Sequence, residues 1–437
     1  MASDHFHLAW FLQGSSIQAW GDDWTGNISE EWMSAGMFLD LARSIERAAF
    51  DYLLLEDSIY IGQNWQNSRD IFLKNGMSVP RQEPSVIASL MAAATSRLGI
   101  VPTLSTFAYH PYLTARIVGT LDQVSAGRAG WNMVTGSSDF SGQNFGLDKL
   151  PEHDTRYSMA EEYIDVVTRL WGSWEPGAIL ADRTSGVLID PSKVHTIDHA
   201  GEYYKSRGPL NSGPCPQGRP VIAQAGGSAR GRGIAAKYAD TIVAHAKGID
   251  AMKEYRADIR AQMQANGRDP DSCKVLFLVS PVLADTPEAA QERAAQRPVR
   301  AAQNLDVRLA QMGWSTNIDF SGHDLDAPVG ELTTNGHQSS LAQFVRKSGG
   351  KTLREAIISY SSSGGSVDLV GTPDQVAAQM GEVMQEVGGD GFLFSLPNVS
   401  RKSVVEITDG LVPALQQRGF VRKQYGCELF RDNLLEF

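Results

Sequence analysis

Polar residues that could bind a ligand or transfer a proton recur where apolar, strand-like runs end or where the next helix begins. Seven stand out: Asp57, Thr103, Asn132, His153, Tyr157, Ser228 and His245. A carboxylate can orient a ring nitrogen, hydroxyl and amide groups can hydrogen-bond a heterocycle, and histidine titrates near neutral pH. We predict catalytic roles for Asn132 and His245. Thr106 and Thr135 end the same runs as Thr103 and Asn132 and are further candidates.

Each of these side chains also has a purely structural interpretation. His245 could act as a general acid or as a hydrogen-bond donor to oxygen, or the backbone could satisfy its imidazole. His153 and Tyr157 are four residues apart at a helix start, so they share one face. They could contact a ligand together, or they could cap and pack that helix. Asp57 could orient a ligand or cap the following turn.

A glycine turn at residues 226–232 could bind an anion. Its sequence is Gly-Gly-Ser-Ala-Arg-Gly-Arg, and it opens a helical pattern. Backbone N–H groups at such a helix start, with the Ser228 hydroxyl and a nearby arginine, suit a cofactor phosphate. An ordinary N-cap is the alternative. The run from Gly231 to Ala236 superficially mimics a dinucleotide fingerprint, but it falls inside the helix, so we discard it.

Three tryptophans in predicted loops indicate where a flat molecule could bind. Trp20, Trp24 and Trp65 lie in loops that should reach the mouth of the fold. Loops usually face water, so a packed core explains these residues poorly. Stacked aromatic side chains suit a flavin or an aromatic substrate. We predict that these three residues contact the substrate.

Eight apolar runs, each followed by a helical pattern, predict the elements that position these residues. The first run covers residues 6–12 and the last covers residues 391–396. Strict alternation of strands and helices predicts an α/β fold, specifically a (β/α)8 TIM barrel with insertions in the strand–helix loops. Such barrels carry their chemistry at the carboxyl ends of the strands. A doubly wound open sheet is the alternative.

The pattern favours a single domain over residues 1–437 with two insertions. Residues 175–218 are too long for a plain connection and predict an inserted hairpin. Residues 313–365 are polar, rich in glycine and serine and weakly periodic. We predict that this second insertion is a mobile lid over the bound ligands. Residues 418–437 form a C-terminal tail whose end is apolar.

Composition excludes several classes of function. The chain of 437 residues has a formal net charge of −11, which argues against nucleic acid or an anionic membrane as partner. Three widely spaced cysteines indicate reduced thiols and a cytoplasmic protein. The start of the chain lacks a signal-peptide pattern, and no apolar run approaches the ~18 residues of a membrane span. Without a P-loop, an H-E-x-x-H motif or clustered Cys and His, we expect no metal site.

A set of longer motifs resembles a known family. The run of residues 120–135 contains Gly127-Arg128-Ala129-Gly130-Trp131-Asn132-Met133-Val134-Thr135. Other motifs are Asn144-Phe145-Gly146, Glu152-His153-Asp154, Asp190-Pro191-Ser192-Lys193-Val194-His195, Pro220-Val221-Ile222, Gln224-Ala225-Gly226 and Val412-Pro413. Together they resemble the bacterial luciferase-like FMN-dependent monooxygenases. The branch is that of nitrilotriacetate monooxygenase component A, dibenzothiophene sulfone monooxygenase and long-chain alkane monooxygenase. The resemblance covers nearly the whole chain except residues 301–365.

The resemblance implies a barrel that uses reduced FMN (FMNH2) and O2, through a flavin C4a-(hydro)peroxide. It implies the oxygenase half of a two-component system, in which a separate NAD(P)H:FMN reductase supplies the reduced flavin. It also implies which residues contact FMN: Asp57, Thr103, His153, Tyr157 and Ser228. Ser228 would hold the phosphate, whereas Asp57 and Thr103 would lie nearer the ring. A homodimer or homotetramer is expected from the family and from the apolar C-terminal end.

The substrate end departs from the family pattern. The loop after the first strand lacks the histidine of the alkane and sulfone enzymes, and Ser137 stands where the alkane enzyme has another. His245 has no counterpart there. We expect a small, largely apolar or aromatic organic substrate, because the aromatic loops are poor in Arg and Lys. A non-catalytic flavin-binding relative and a flavin oxidoreductase that uses nicotinamide directly are the alternative functions.

Overall fold

The computed structural model describes residues 5–13 and 34–437. Its strands, in chain order, are β1 (His7–Leu12), β2 (Tyr52–Leu55), β3 (Gly99–Ser105), β4 (Gly130–Val134), β5 (Ile179–Asp182), β6 (Val187–Ile189), β7 (His199–Ala200), β8 (Lys205–Ser206), β9 (Val221–Gln224), β10 (Thr241–Ala244), β11 (Lys274–Val279), β12 (Val282–Leu283), β13 (Val370–Gly371) and β14 (Gly391–Phe394). Trp20 and Trp24 lie outside the described residues, so the structure says nothing of their predicted role.

The helices alternate with these strands. They are α1 (Gly36–Arg47), α2 (Asp70–Lys74), α3 (Pro84–Ala94), α4 (Pro111–Val124), α5 (Asp139–Gln143), α6 (His153–Trp171), α7 (Ala229–Tyr238), α8 (Ile249–Ala265), α9 (Pro287–Gln303), α10 (Leu305–Thr316), α11 (Gln338–Ser348), α12 (Leu353–Ser361), α13 (Pro373–Val387), α14 (Arg401–Val405), α15 (Val412–Gln417) and α16 (Phe430–Leu434). A π-helical segment, Glu406–Leu411, joins α14 to α15. In the part of the chain that the structure describes, no helix combines the length and apolarity needed to cross a membrane.

Eight parallel strands close into a barrel in the order β1-β14-β11-β10-β9-β4-β3-β2. Closure is direct: His7 pairs with Gly391 on one side of β1, and Ala9 pairs with Tyr52 on the other. The strands are apolar and almost wholly buried, as expected when helices cover a parallel sheet. The predicted (β/α)8 TIM barrel is therefore confirmed, and the doubly wound sheet is excluded.

The C-terminal tail fills the amino-terminal end of the barrel. Phe430 is fully buried, its ring centroid lies 5.6 Å from that of Tyr52, and a Cβ on Gly99 would lie 2.6 Å from it. Arg422 donates to the buried Asp51 carboxylate at 2.8 Å, and His7 contacts the same carboxylate at 2.9 Å. Phe430 and Leu434 of the tail are buried within the chain, whereas Leu435 is 40% exposed, and the expected oligomer stays a prediction.

The segment of residues 313–365 contains more regular structure than its sequence suggests. It includes the end of α10 and the whole of α11 and α12. These helices share a hydrophobic cluster of their own, in which Met312, Phe320, Phe344 and Ile357 are buried. The predicted irregular lid is thus a small helical layer beside the carboxyl ends of the strands. Its movement on ligand binding stays a prediction.

Candidate active site

A large cavity opens at the carboxyl ends of the barrel strands. Its volume is about 1760 Å³, above the ~300–1,000 Å³ that one small ligand usually occupies. All seven polar residues singled out from the sequence line it: Asp57, Thr103, Asn132, His153, Tyr157, Ser228 and His245. The structure therefore brings together residues spread over nearly 190 positions of the chain. The cavity has room for a cofactor and a second molecule.

One end of the cavity has the features of an anion site. Ser228 is the N-cap of α7, and its Oγ accepts a hydrogen bond of 3.1 Å from Gly231 N. Tyr157 reaches the same turn, because a Cβ on Gly231 would lie 2.9 Å from Tyr157 Oη and 3.2 Å from Ser228 Oγ. The His153 ring packs 4.8 Å from the Tyr157 ring. Two hydroxyl groups, a histidine and the N–H groups at the start of α7 thus converge.

The barrel mouth carries hydrogen-bonding atoms without partners among the described residues. Asn132 Nδ2 donates to Thr103 Oγ1 at 2.7 Å, but Asn132 Oδ1 is buried and unpaired. Gln224 Oε1 and Ser105 Oγ are unpaired in the same way, and both residues line the cavity. Buried polar atoms usually have partners, so these three indicate a ligand with donors and acceptors along one edge. The pyrimidine edge of a flavin ring has that character.

Asp57 lines the cavity beside the barrel mouth, and its pKa is raised. Burial raises the pKa of Asp57 to about 7, and Glu56 and Glu83 add to the rise while Arg81 opposes it. Arg81 donates to Glu56 at 2.7 Å, so part of its charge is already matched. Near neutral pH Asp57 can therefore donate a hydrogen bond as well as accept one.

Two histidines face the cavity as neutral imidazoles. His245 follows β10, and burial, with Lys347 and Lys247, lowers its pKa to about 4. His337 precedes α11, and burial, with Arg156, lowers its pKa to about 4 as well. Both residues line the cavity and keep accessible surface there. A neutral His245 fits the predicted hydrogen-bond donor better than a general acid at neutral pH.

Comparison with known proteins decides the family. The family model of the luciferase-like monooxygenases matches residues 14–391. This chain belongs to that family. A dibenzothiophene-sulfone monooxygenase of Rhodococcus erythropolis (strain XP) is 35% identical over 98% of this chain and 96% of its own. Nitrilotriacetate monooxygenase component A of Aminobacter aminovorans is 32% identical over 99% of this chain and 97% of its own.

The structural comparison agrees with this family. A crystal structure of riboflavin lyase with modified FMN and substrate riboflavin is 32% identical, with a TM-score of 0.89. The superposition covers 99% of this chain and 96% of that chain. The protein is therefore a luciferase-like monooxygenase with its whole barrel and both insertions matched to a solved relative.

Two predicted positions of this luciferase-like monooxygenase lie away from the cavity. Trp65 packs between the helical layer and a cluster around Phe72 and Met77, and it is not among the lining residues. Thr106, which follows the end of β3, is buried and does not line the cavity, whereas Thr103 and Ser105 do. Trp65 therefore packs against neighbouring side chains, and Ser105 lines the cavity where Thr106 does not.

The strand-end search also missed an arginine-rich helical face. Arg293, Arg297, Arg300 and Arg308 line the cavity from α9 and α10, at spacings of three, four and eight residues. The spacings of four and three place Arg293, Arg297 and Arg300 on one face of α9. The pattern was visible in the sequence, but it lies in helices and not in the strand-end loops. His337 and Asn335, in the second insertion, carried no signal of comparable strength.

Asn335 links the second insertion to the anion end of the cavity. Its Oδ1 accepts a hydrogen bond of 3.1 Å from His153 N, and its main-chain oxygen accepts one of 2.9 Å from Arg156 Nη2. The helical layer is therefore docked directly on the first turn of α6.

Proposed function

We propose that this protein is the oxygenase component of a two-component system, which takes up reduced FMN and uses O2 to oxidise a small organic substrate. The observation that carries the proposal is the convergence of the Ser228 turn and the unpaired polar atoms at the barrel mouth on one cavity. An anion site and a polar-edged flat site in one space suit a phosphorylated flavin. The remaining volume suits a substrate.

Different residues would bind the phosphate and the ring of FMN. Ser228, Tyr157 and the first N–H groups of α7 would hold the phosphate, and His153 would pack over it. Thr103, Asn132 and their unpaired neighbours would bind the ring edge. When bound, reduced FMN supplies the electrons and the position at which O2 is activated.

Proton handling and exclusion of water fall to other groups. Asp57, with its pKa near 7, can exchange a proton at the ring edge. Neutral His245 can donate a hydrogen bond to oxygen without introducing a positive charge. Phe11, Val243 and Leu278 line the floor of the cavity and limit access of water from below.

The position of the one run that resembles a nicotinamide-dinucleotide motif supports a separate reductase. The run from Gly231 to Ala236, which imitates a dinucleotide fingerprint, lies within α7 and not in a strand–helix turn. The relative from Aminobacter aminovorans is named as component A, which supports a second component. The reductase is therefore expected to be another protein that passes reduced FMN on by diffusion.

A stopped-flow experiment tests the proposal. Photoreduced FMN, with and without a molar excess of the protein, is mixed with oxygenated buffer, and the return of oxidised-flavin absorbance is followed. We expect a clearly slower return with the protein, and no NAD(P)H oxidation unless a flavin reductase is added. Return as fast as for free FMN would refute the proposal. NAD(P)H oxidation by the protein alone would instead support the nicotinamide-using alternative.

A further inference from the structure

The cavity is positively charged although the chain is acidic. Among the described residues, eight arginines and one lysine line it, against five aspartates and glutamates. The whole chain has 39 basic and 50 acidic residues. A flavin phosphate would contribute only about −2. Positive charge therefore remains in excess of what the proposed cofactor would neutralise.

Near the ends of β10 and β11, two of the lining arginines, Arg297 and Arg346, have further charged residues close by that do not themselves line the cavity. Arg297 lines the cavity and donates to Ser280 O, just after β11, at 2.9 Å. Asp368 lies close to Arg297 and accepts from Lys247 at 3.0 Å. Lys347 is close to Lys247 and to Asp368. We call the set of Arg297, Arg346, Lys247, Lys347 and Asp368 the cationic corner.

The cationic corner has four positive side chains for one carboxylate. Arg346 and Arg297 face the cavity directly, and Arg346 neighbours Lys347 on α11. Asp368 lies close to Arg297; burial opposes the shift, but hydrogen bonds from Gly364 N and Lys247, with the charges of Lys247 and Arg297, lower the pKa of Asp368. The net charge of the corner is thus about +3 when all of its groups are ionised.

Two basic groups at the cationic corner have lowered pKa values. The pKa of Lys347 falls to about 8, mainly through burial and then through Lys247. The pKa of His245 falls for the same two kinds of reason, with Lys347 and Lys247 as its charged neighbours. Burial is the larger cause of both shifts, and the smaller contributions of Lys247 and Lys347 show that these two cations lie close to His245.

The cationic corner is separate from the proposed phosphate site. Ser228 follows β9, whereas Ser280 and Arg297 stand at β11, two strands further round the barrel. Neighbouring strands are about 4.8 Å apart, so the two strand ends are roughly 10 Å apart. A phosphate held at Ser228 does not occupy the corner.

We propose that the substrate of this enzyme is an organic anion whose carboxylate binds Arg297 and Arg346 at the cationic corner, beside His245. The inference rests on the proposed function, because it assigns the part of the cavity left by the flavin. It also replaces the expectation of a largely apolar substrate, which considered only the aromatic loops. The arginines come from α9 and α11, outside those loops. Arginine binds carboxylates through paired, charge-assisted hydrogen bonds.

Binding of matched probes to the FMN-loaded protein tests this proposal. The probes are benzoate, succinate and thiodiglycolate, each compared with its neutral amide by calorimetric titration at low salt. We expect at least one carboxylate to bind about 10-fold or more tightly than its amide. We expect Arg297→Gln to weaken that binding by about 10–100-fold and Arg346→Gln, at a more exposed position, by about 3–10-fold.

Two variants separate binding from folding. Arg297→Lys keeps the charge and should restore most of the affinity lost in Arg297→Gln. Arg354→Gln removes an arginine from the same helical layer whose partner is the exposed Asp326, and it should leave probe affinity unchanged. Unfolding midpoints of all four variants show whether any loss comes from destabilisation.

The outcomes separate the two proposals. If no carboxylate binds more tightly than its amide, or if Arg297→Gln binds as well as the unaltered protein, the anionic substrate is refuted. Reoxidation of reduced FMN would still be slowed in that case. If reoxidation is not slowed, the oxygenase proposal itself fails, whatever the probes do.

Discussion

Replacing Ser228 by alanine should weaken FMN binding far more than it weakens the fold. The side chain caps α7 through a 3.1 Å hydrogen bond from Gly231 N, and it lines the cavity where the phosphate would bind. Loss of an N-cap costs about 1 kcal/mol of stability. Loss of one hydrogen bond to a charged group costs about 1.5–3 kcal/mol of binding, which is roughly 10–100-fold in Kd.

A second helix offers a control for the capping effect. Thr286 caps α9 through a hydrogen bond of 3.2 Å from Ala289 N, and it does not line the cavity. Thr286→Ala should therefore lose about 1 kcal/mol of stability and keep its affinity for FMN. Both variants would be compared by urea unfolding without FMN and by fluorescence titration with FMN.

The two measurements test the placement of the phosphate directly. If Ser228→Ala binds FMN within twofold of the unaltered protein, Ser228 does not contact the phosphate. If Thr286→Ala loses as much FMN affinity as Ser228→Ala, the loss reflects general destabilisation of the helices. Either result would refute the reasoning from the Ser228 turn.

Four further predictions follow from other parts of the structure. The raised pKa of Asp57 means that the folded state keeps a proton there which the unfolded chain releases above pH ~4, so the free energy of unfolding falls between pH 4 and 7. Asp57→Asn should reduce that fall by about 1–2 kcal/mol in urea unfolding measured across this pH range. An unchanged pH dependence would contradict the prediction. Phe430→Ala should cost about 3–5 kcal/mol in the same assay, because the buried ring closes the barrel floor; a loss below 1 kcal/mol would contradict that role. Trp65→Phe should change the KM for substrate less than twofold while lowering the unfolding midpoint, and a large rise in KM would restore the predicted substrate contact. Limited proteolysis within residues 313–365 should slow when FMN binds, because Asn335 is docked on His153 at the anion end; equal rates with and without FMN would argue against a lid.

The sequence predicted the barrel correctly, and it predicted which polar residues meet at one cavity, because both depend on local patterns. Apolar runs alternate with amphipathic helices over the whole chain, and polar residues at strand ends meet at one edge of a closed parallel sheet. Asp57, Thr103, Asn132 and Ser228 could therefore be assigned to one cavity without knowing any distance. Thr106 was predicted wrongly, because it follows the end of β3 and does not line the cavity.

The substrate end could not be predicted in the same way. Arg297 and Arg346 lie on helices that are distant in sequence, and only the folded chain brings both of them to the cavity that His245 also lines. The pKa values of Asp57 and His245 depend on burial in a cavity, which no local pattern encodes. Trp65 looked available because it is in a loop, but the layer built from residues 305–361 covers it.

The burial of Phe430 in the amino-terminal end of the barrel has a consequence for folding during protein synthesis. The strands of the barrel have all been synthesised before residue 430 is added, because β14 ends at Phe394. Until the tail arrives, the nascent barrel has Tyr52 and the glycines of β3 and β4 uncovered at its floor. Chains truncated before residue 430 would expose this surface to chaperones and proteases. The proposed active site would not be affected directly, because it lies at the opposite end of the barrel.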